Sequence, residues 1–235
     1  MRLIDNRTAP NRRTWIGWSA ALALGSQAVA QKRRRGEPEQ AEEVSPAEDL
    51  MREHGVLKRA LLIYREAIRR IDARQEVPPD AVAKTARLIR DFVENYHEKL
   101  EEDYLFPRFR KANQQVELVN ILYTQHQKGR TLTDRILHLA TAAALKDAAQ
   151  QQRLKEALHL FVRMYEPHEA REDTVLFPAF RKIVSKHEYD SLGEDFERKE
   201  NQLFGGEGFE KNVEAVAAIE KQLGLYDLAQ FTPSV

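Results

Sequence analysis

Four long stretches of the chain repeat apolar residues every three to four positions, the period of a helix with one buried face. The first carries Leu50, His54, Leu57, Leu61 and Ile68 on one stripe and runs to about Arg74. It opens at Ser45-Pro46-Ala47-Glu48, which supplies an N-cap, a first-turn proline and a capping-box glutamate. Pro78-Pro79 marks the connection to a second helix over about 80–105, with Ala86, Ile89, Val93, His97 and Glu101 on the inner face. Pro107 is expected to end or kink it, because proline lacks the amide donor and clashes with the preceding turn. A third helix, about 115–144, sets Leu118, Leu122 and His126 at four-residue steps. The fourth, about 149–176, aligns Leu154, Leu158, Phe161, Tyr165, His168 and Glu172, and Pro178 repeats the stop. The expected fold is all-α, an up-down four-helix bundle.

Two further helices are expected in residues 183–235. One covers about 187–203; the other runs from Phe209 to Leu223, with Phe209, Val213, Val216 and Leu223 as its packing face. Gly205-Gly206-Glu207-Gly208 separates them. They carry no evident chemistry and read as a packing appendage to a bundle over 45–182.

The N-terminal segment has a different character. Arg12-Arg13, the apolar run Trp18 to Leu24 and the small-residue site Ala28-Val29-Ala30 match an export signal over 1–30. The paired arginines resemble the twin-arginine signal, although Asn11 and Gly17 depart from its usual residues. The run is too short to span a bilayer comfortably, so no membrane span is expected once the signal is cleaved. Residues 31–44 are charged and without apolar period, the pattern of a disordered linker. The expected location is the periplasm.

Composition narrows the chemistry. The 37 basic and 37 acidic residues cancel, so nothing favours nucleic acid as a partner. With no Cys, thiol nucleophiles, zinc–thiolate sites and cysteine-ligated clusters are excluded. Any metal must be held by nitrogen and oxygen.

Such a donor set is present, and it occurs twice. Residues 97–111 (His-Glu-Lys-Leu-Glu-Glu-Asp-Tyr-Leu-Phe-Pro-Arg-Phe-Arg-Lys) recur at 168–182 with nine of fifteen positions identical. Each copy spaces a His four residues before a Glu, His97 with Glu101 and His168 with Glu172, one turn apart on one helix face. Each is preceded by a lone His, His54 or His126, on the preceding helix. All six continue the apolar stripes, so four His and two Glu are expected to converge in the core. His138, His159 and His187 fall off the inner face and are expected at the surface. Glu98, Glu102, Glu169 and Asp173 are expected as solvated helix charge. Glu102 and Asp173 remain alternatives to their neighbours as bridges, only about 100° of rotation away. Tyr64, Tyr104 and Tyr165 are expected as aromatic core, with the alternative that one orients a ligand.

The order His, His-x-x-x-Glu, His, His-x-x-x-Glu, with Leu-Phe-Pro after each pair, resembles the hemerythrin-like (HHE) cation-binding domain over about 47–182. That resemblance implies a bundle enclosing a non-haem di-iron centre, two Fe ions joined by an oxo or hydroxo bridge. Carried over by position, the ligands are His54, His97, Glu101, His126, His168 and Glu172, both Glu bridging the irons. Mn or Zn satisfies the same donor preference, so iron rests on the resemblance. Oxygen carriers of this family use a fifth His. The four-His form is closer to bacterial di-iron proteins linked to nitrosative stress and iron–sulfur cluster repair. Two octahedral ions offer about twelve positions, and these ligands plus a bridge leave roughly one open per metal.

The function expected is binding or sensing of a small diatomic or peroxide ligand. The alternatives are a di-iron peroxidase or NO-detoxifying enzyme, and iron donation to or repair of iron–sulfur clusters. An export signal counts against the last, because most such clusters are assembled in the cytoplasm.

Overall fold

The computed structural model of the chain describes residues 44–233; the expected export signal and all but the last residue of the expected linker lie outside them. Helix α1 (Pro46–Asp72) starts on the expected capping box: Ser45 Oγ accepts from Glu48 N, and Glu48 Oε2 accepts from Ser45 N at 3.0 Å. Helix α2 spans 79–111, α3 is Val116–Leu139, and α4 spans 148–183. Helix α1 packs against α2 and α4, and α3 packs against the same two, which closes the up-down ring of four. Among the described residues there is no strand.

Neither Pro107 nor Pro178 ends its helix: the stop expected at Pro178 is absent, and at Pro107, where an end or a kink was expected, the helix changes type and runs on. Helix α2 widens into π-helical turns at Ile89–His97 and Glu101–Leu105, then resumes as α-helix over Phe106–Lys111. Helix α4 does the same at Glu172–Leu176 and Phe177–Ile183. In each copy the amide before the proline reaches back five residues, Phe106 N–H to the Glu101 carbonyl and Phe177 N–H to the Glu172 carbonyl. The proline then sits at the start of a fresh α-helical turn, where its missing donor and fixed φ cost nothing. Of the three π segments, the two that precede the prolines begin on a glutamate of the repeated motif, which agrees with the tendency of such turns to mark functional positions.

Helix α3 ends at Leu139 rather than about 144. The alanines that follow are good helix formers, yet the chain must reverse toward α4. Thr141 Oγ1 accepts from Ala144 N, and Asp147 caps α4 by accepting from Gln150 N at 2.8 Å.

The core is continuous along all four helices, from Leu50, Tyr64 and Ile63 through Phe92, Phe106 and Phe109 to Phe161 and Phe180. Helices α5 (Lys186–Phe204) and α6 (Gly208–Leu223) lie against its outside, α6 on α1 and α2, α5 on α1. Phe204 meets Tyr96 edge-on at 5.5 Å, and Phe196 meets Tyr104 at 5.5 Å. Arg59 forms a bidentate pair with the buried Glu220 of α6. Gly205, Gly206 and Glu207 turn the chain between them with positive φ. No helix among the described residues is long and apolar enough to cross a membrane.

Candidate metal centre

All six residues of the repeated motif meet at one level of the bundle, each no more than 4 % exposed. They come from all four helices: His54 from α1, His97 and Glu101 from α2, His126 from α3, His168 and Glu172 from α4. The imidazoles form two pairs. His54 and His97 have ring centroids 4.7 Å apart, His126 and His168 5.0 Å apart.

The two carboxylates lie between these pairs, each with one oxygen toward either side. Glu101 Oε1 is 3.9 Å from His97 Nε2, and its Oε2 is 3.4 Å from His126 Nε2. Glu172 Oε2 is 3.3 Å from His54 Nε2, and its Oε1 is 3.1 Å from His168 Nε2. The donor atoms divide into two overlapping groups that share both glutamates: His54, His97, Glu101, Glu172, and Glu101, His126, His168, Glu172.

The Nδ1 atoms explain why every Nε2 faces inward. His54 Nδ1 is 2.7 Å from Asp173, His97 Nδ1 2.7 Å from Glu53, His126 Nδ1 3.1 Å from Glu102, and His168 Nδ1 2.8 Å from Gln125 Oε1. All four partners are oxygen acceptors, so Nδ1 donates to them, and Nε2 is the atom turned to the centre, where it would offer its lone pair to a cation. Asp173 and Glu102 therefore stand behind His54 and His126, while Glu101 and Glu172 lie among the inward Nε2 atoms.

This donor set fits a cation and little else. His126 Nε2 faces His168 Nε2 at 3.2 Å, two nitrogens close enough to share one ion. All four oxygens of Glu101 and Glu172 are buried without a well-directed hydrogen bond, as is His97 Nε2. Buried polar atoms left in that state are costly, and metal coordination is the standard resolution. In the metal-free protein, burial and the neighbouring Glu172 charge push the Glu101 carboxyl upward. Burial opposes the charged form of His54, but the contacts with Asp173 and Glu172 outweigh it and lift its pKa to about 9. For His126 burial prevails, with the repulsion of His168, and its pKa falls to about 4.

A second layer of buried charge surrounds the centre, where solvated charge was expected. Glu98, Glu169 and most of Glu102 are buried. Arg130 of α3 pairs with Glu98 at 2.7 Å and Glu102 at 2.8 Å, and so fills the third acidic cluster, Glu98, Glu102 and His126, with its own guanidinium. Burial raises Glu98 to about 8 against the pull of Arg130, and Tyr165 Oη donates to its Oε1 at 2.6 Å. Burial likewise works to raise Glu102, yet His126, Lys99 and Arg130 hold it down at about 2. Glu169 pairs with Lys58. His138, His159 and His187 are exposed, as expected.

Sequence pattern alone does not single out Glu53 and Gln125 as partners of the ligands. Their signal is the repeat itself: each immediately precedes the lone His of its half, which turns it toward the neighbouring helix. Tyr165 orients Glu98 rather than a ligand, and its ring also lies 5.3 Å from that of His168.

The family model described as hemerythrin HHE cation-binding domain matches the chain twice, over residues 45–151 and 117–225. Uncharacterized proteins of Mycobacterium tuberculosis and Mycobacterium bovis are 52 % identical to it over 197 residues, 84 % of this chain and 77 % of theirs. No solved structure matches it.

Proposed function

The chain belongs to the hemerythrin HHE cation-binding family, and from that premise we propose that it is a non-haem di-iron protein that binds or senses O2, NO or peroxide in the periplasm. One observation carries the di-metal reading: Glu101 and Glu172 each turn one oxygen to the His54/His97 pair and the other to the His126/His168 pair. A carboxylate placed in this way is a bridge between two ions, about one ion to each histidine pair.

Iron held there would supply redox chemistry and about one open position per ion for a small ligand. The protein's own part is positional. Glu53, Asp173, Glu102 and Gln125 fix the histidine tautomers and ring planes. Phe106 and Phe177 cover the lone histidines and keep bulk water from them.

A peroxidase or NO-reducing enzyme is a second reading. It is favoured by the buried Tyr165–Glu98–Arg130 chain beside His168, since turnover of such substrates needs protons inside the bundle. Metal analysis together with optical spectra of the protein, anaerobic and then exposed to air, NO or peroxide, tests both. About two irons per chain with ligand-dependent absorption supports binding, and sustained consumption of peroxide or NO by the iron-loaded protein alone supports the enzyme. Protein that takes up no iron, or whose iron ignores all three ligands, overturns the proposal.

A further inference from the structure

The two halves of the metal centre are related by the internal repeat, and the relation breaks at one chemically decisive place. Nδ1 of His97 faces the carboxylate of Glu53, whereas Nδ1 of His168, its counterpart, faces the amide oxygen of Gln125. Residues 53 and 125 stand directly before His54 and His126, so they occupy the same place in the repeat with different chemistry. A carboxylate that accepts from imidazole makes the opposite nitrogen a stronger donor to a cation; a neutral amide does so far less.

A second imbalance points the same way. Asp173 stands behind His54 and Glu102 behind His126, but the Glu102 charge is shared with Lys99 and Arg130. The counterpart of Lys99 is Ala170, and Lys58, the counterpart of Arg130, pairs with Glu169 at 3.0 Å. Two carboxylates thus back the His54/His97 pair. Behind His126/His168 stand one carboxylate already held by two cations and one neutral amide. Exposure differs as well: Glu53 is buried, while Gln125 is half-buried and lines a surface groove with Val116, Ile121 and Thr124.

We infer that the two metal positions are unequal: the His54/His97 position fills first and holds its ion more tightly, and the His126/His168 position, backed by Gln125, is the exchangeable one. Gln125 and Glu53 act as positioning residues that set this order. The inference rests on the two-ion reading above.

The test is an anaerobic titration of metal-free protein with ferrous iron, counting ions per chain by native mass spectrometry. The one-ion form should accumulate before the two-ion form, with affinities about tenfold or more apart. Gln125→Glu should tighten the second step and deplete the one-ion form, and Glu53→Gln should weaken the first. The one ion kept by His168→Ala should bind near the first wild-type affinity, and that kept by His97→Ala near the second. Two ions entering together in the wild type, a ratio indifferent to Gln125→Glu, or a tighter ion in His97→Ala than in His168→Ala overturns the inference. No iron uptake by any form would instead sink the di-iron reading itself.

Discussion

Phe177 stacks on His54, the ring centroids 5.5 Å apart and the planes within 22° of parallel. Phe106 repeats that geometry on His126, again 5.5 Å and 22°. Each phenylalanine belongs to a Leu-Phe-Pro that follows one His-x-x-x-Glu and covers the lone histidine of the other half, so the two halves lock across the centre. Phe177→Ala should therefore do more than open a cavity. We expect a loss of about 3–5 kcal/mol in chemical denaturation, together with faster iron release to a chelator. An equal loss of stability with unchanged release would confine Phe177 to packing.

Metal content should separate the two classes of histidine. His97→Ala and His168→Ala should each fall from about two ions per chain to about one or fewer. His159→Ala, at an exposed position of α4, should keep the wild-type content. The same content in all three variants would remove His97 and His168 from the ligand set.

Much of this centre is legible in the sequence, because three patterns fall on the same residues. The apolar stripe of each helix passes through His54, His97, His126 and His168, the His-x-x-x-Glu spacing stacks donors one turn apart, and the repeat duplicates both. What stayed hidden lies one residue off the stripe. Glu53, Gln125, Glu102 and Asp173 are adjacent to ligands in sequence, and a rotation of about 100° carries them from the core face into the seam between helices. A charged residue there looks solvated until the neighbouring helix is in place. The stop expected at Pro178 failed for a related reason: a proline disfavours a continuing α-helix, but a π turn just before it accommodates the ring, and sequence periodicity does not reveal that extra residue.

Iron uptake should expel protons at neutral pH. In the metal-free protein His54 titrates near 9, so at pH 7 its Nε2 must give up a proton before it can bind an ion. His126, near 4, has no proton to lose. The His54 proton, about one per chain, should appear in weakly buffered solution at pH 7. Because a raised folded-state pKa means proton competition below it, iron affinity should climb as pH rises from 7 and level off above about 9. A pH-independent affinity across that range, measured against a calibrated chelator, would contradict this picture of His54.

Gly129 on α3 has a reason to lack a side chain. A Cβ at that position would lie 2.0 Å from Tyr165 Oη, the hydroxyl that donates to Glu98. Gly129→Ala adds intrinsic helix propensity worth about 1 kcal/mol, yet it must displace Tyr165 and leave Glu98 short of a donor in a buried place. We expect net destabilisation despite the propensity gain, seen as a lower melting temperature. Tyr165→Phe in the Gly129→Ala background removes the clashing oxygen and should recover part of the loss. A more stable Gly129→Ala would show that Tyr165 moves aside at no cost.

The export prediction depends on the order in which this bundle is completed. Its candidate ligands come from all four helices, and the two glutamates join the histidine pairs, so an ion is most simply placed while the helices assemble. A protein loaded in that way is folded before it leaves the cytoplasm, and only a route that carries folded cargo suits it. Arg12-Arg13, the apolar run Trp18 to Leu24 and Ala28-Val29-Ala30 resemble the signal for such a route. We expect the mature chain to begin at Gln31 and to be found outside the cytoplasm with its iron. Arg12→Lys combined with Arg13→Lys should trap uncleaved precursor inside the cell, and that precursor should still carry metal, because the bundle lies beyond the signal. Native protein recovered from the cytosol with Met1 to Ala30 intact would reverse the localisation, remove the objection to work on iron–sulfur clusters, and make that the reading to test next.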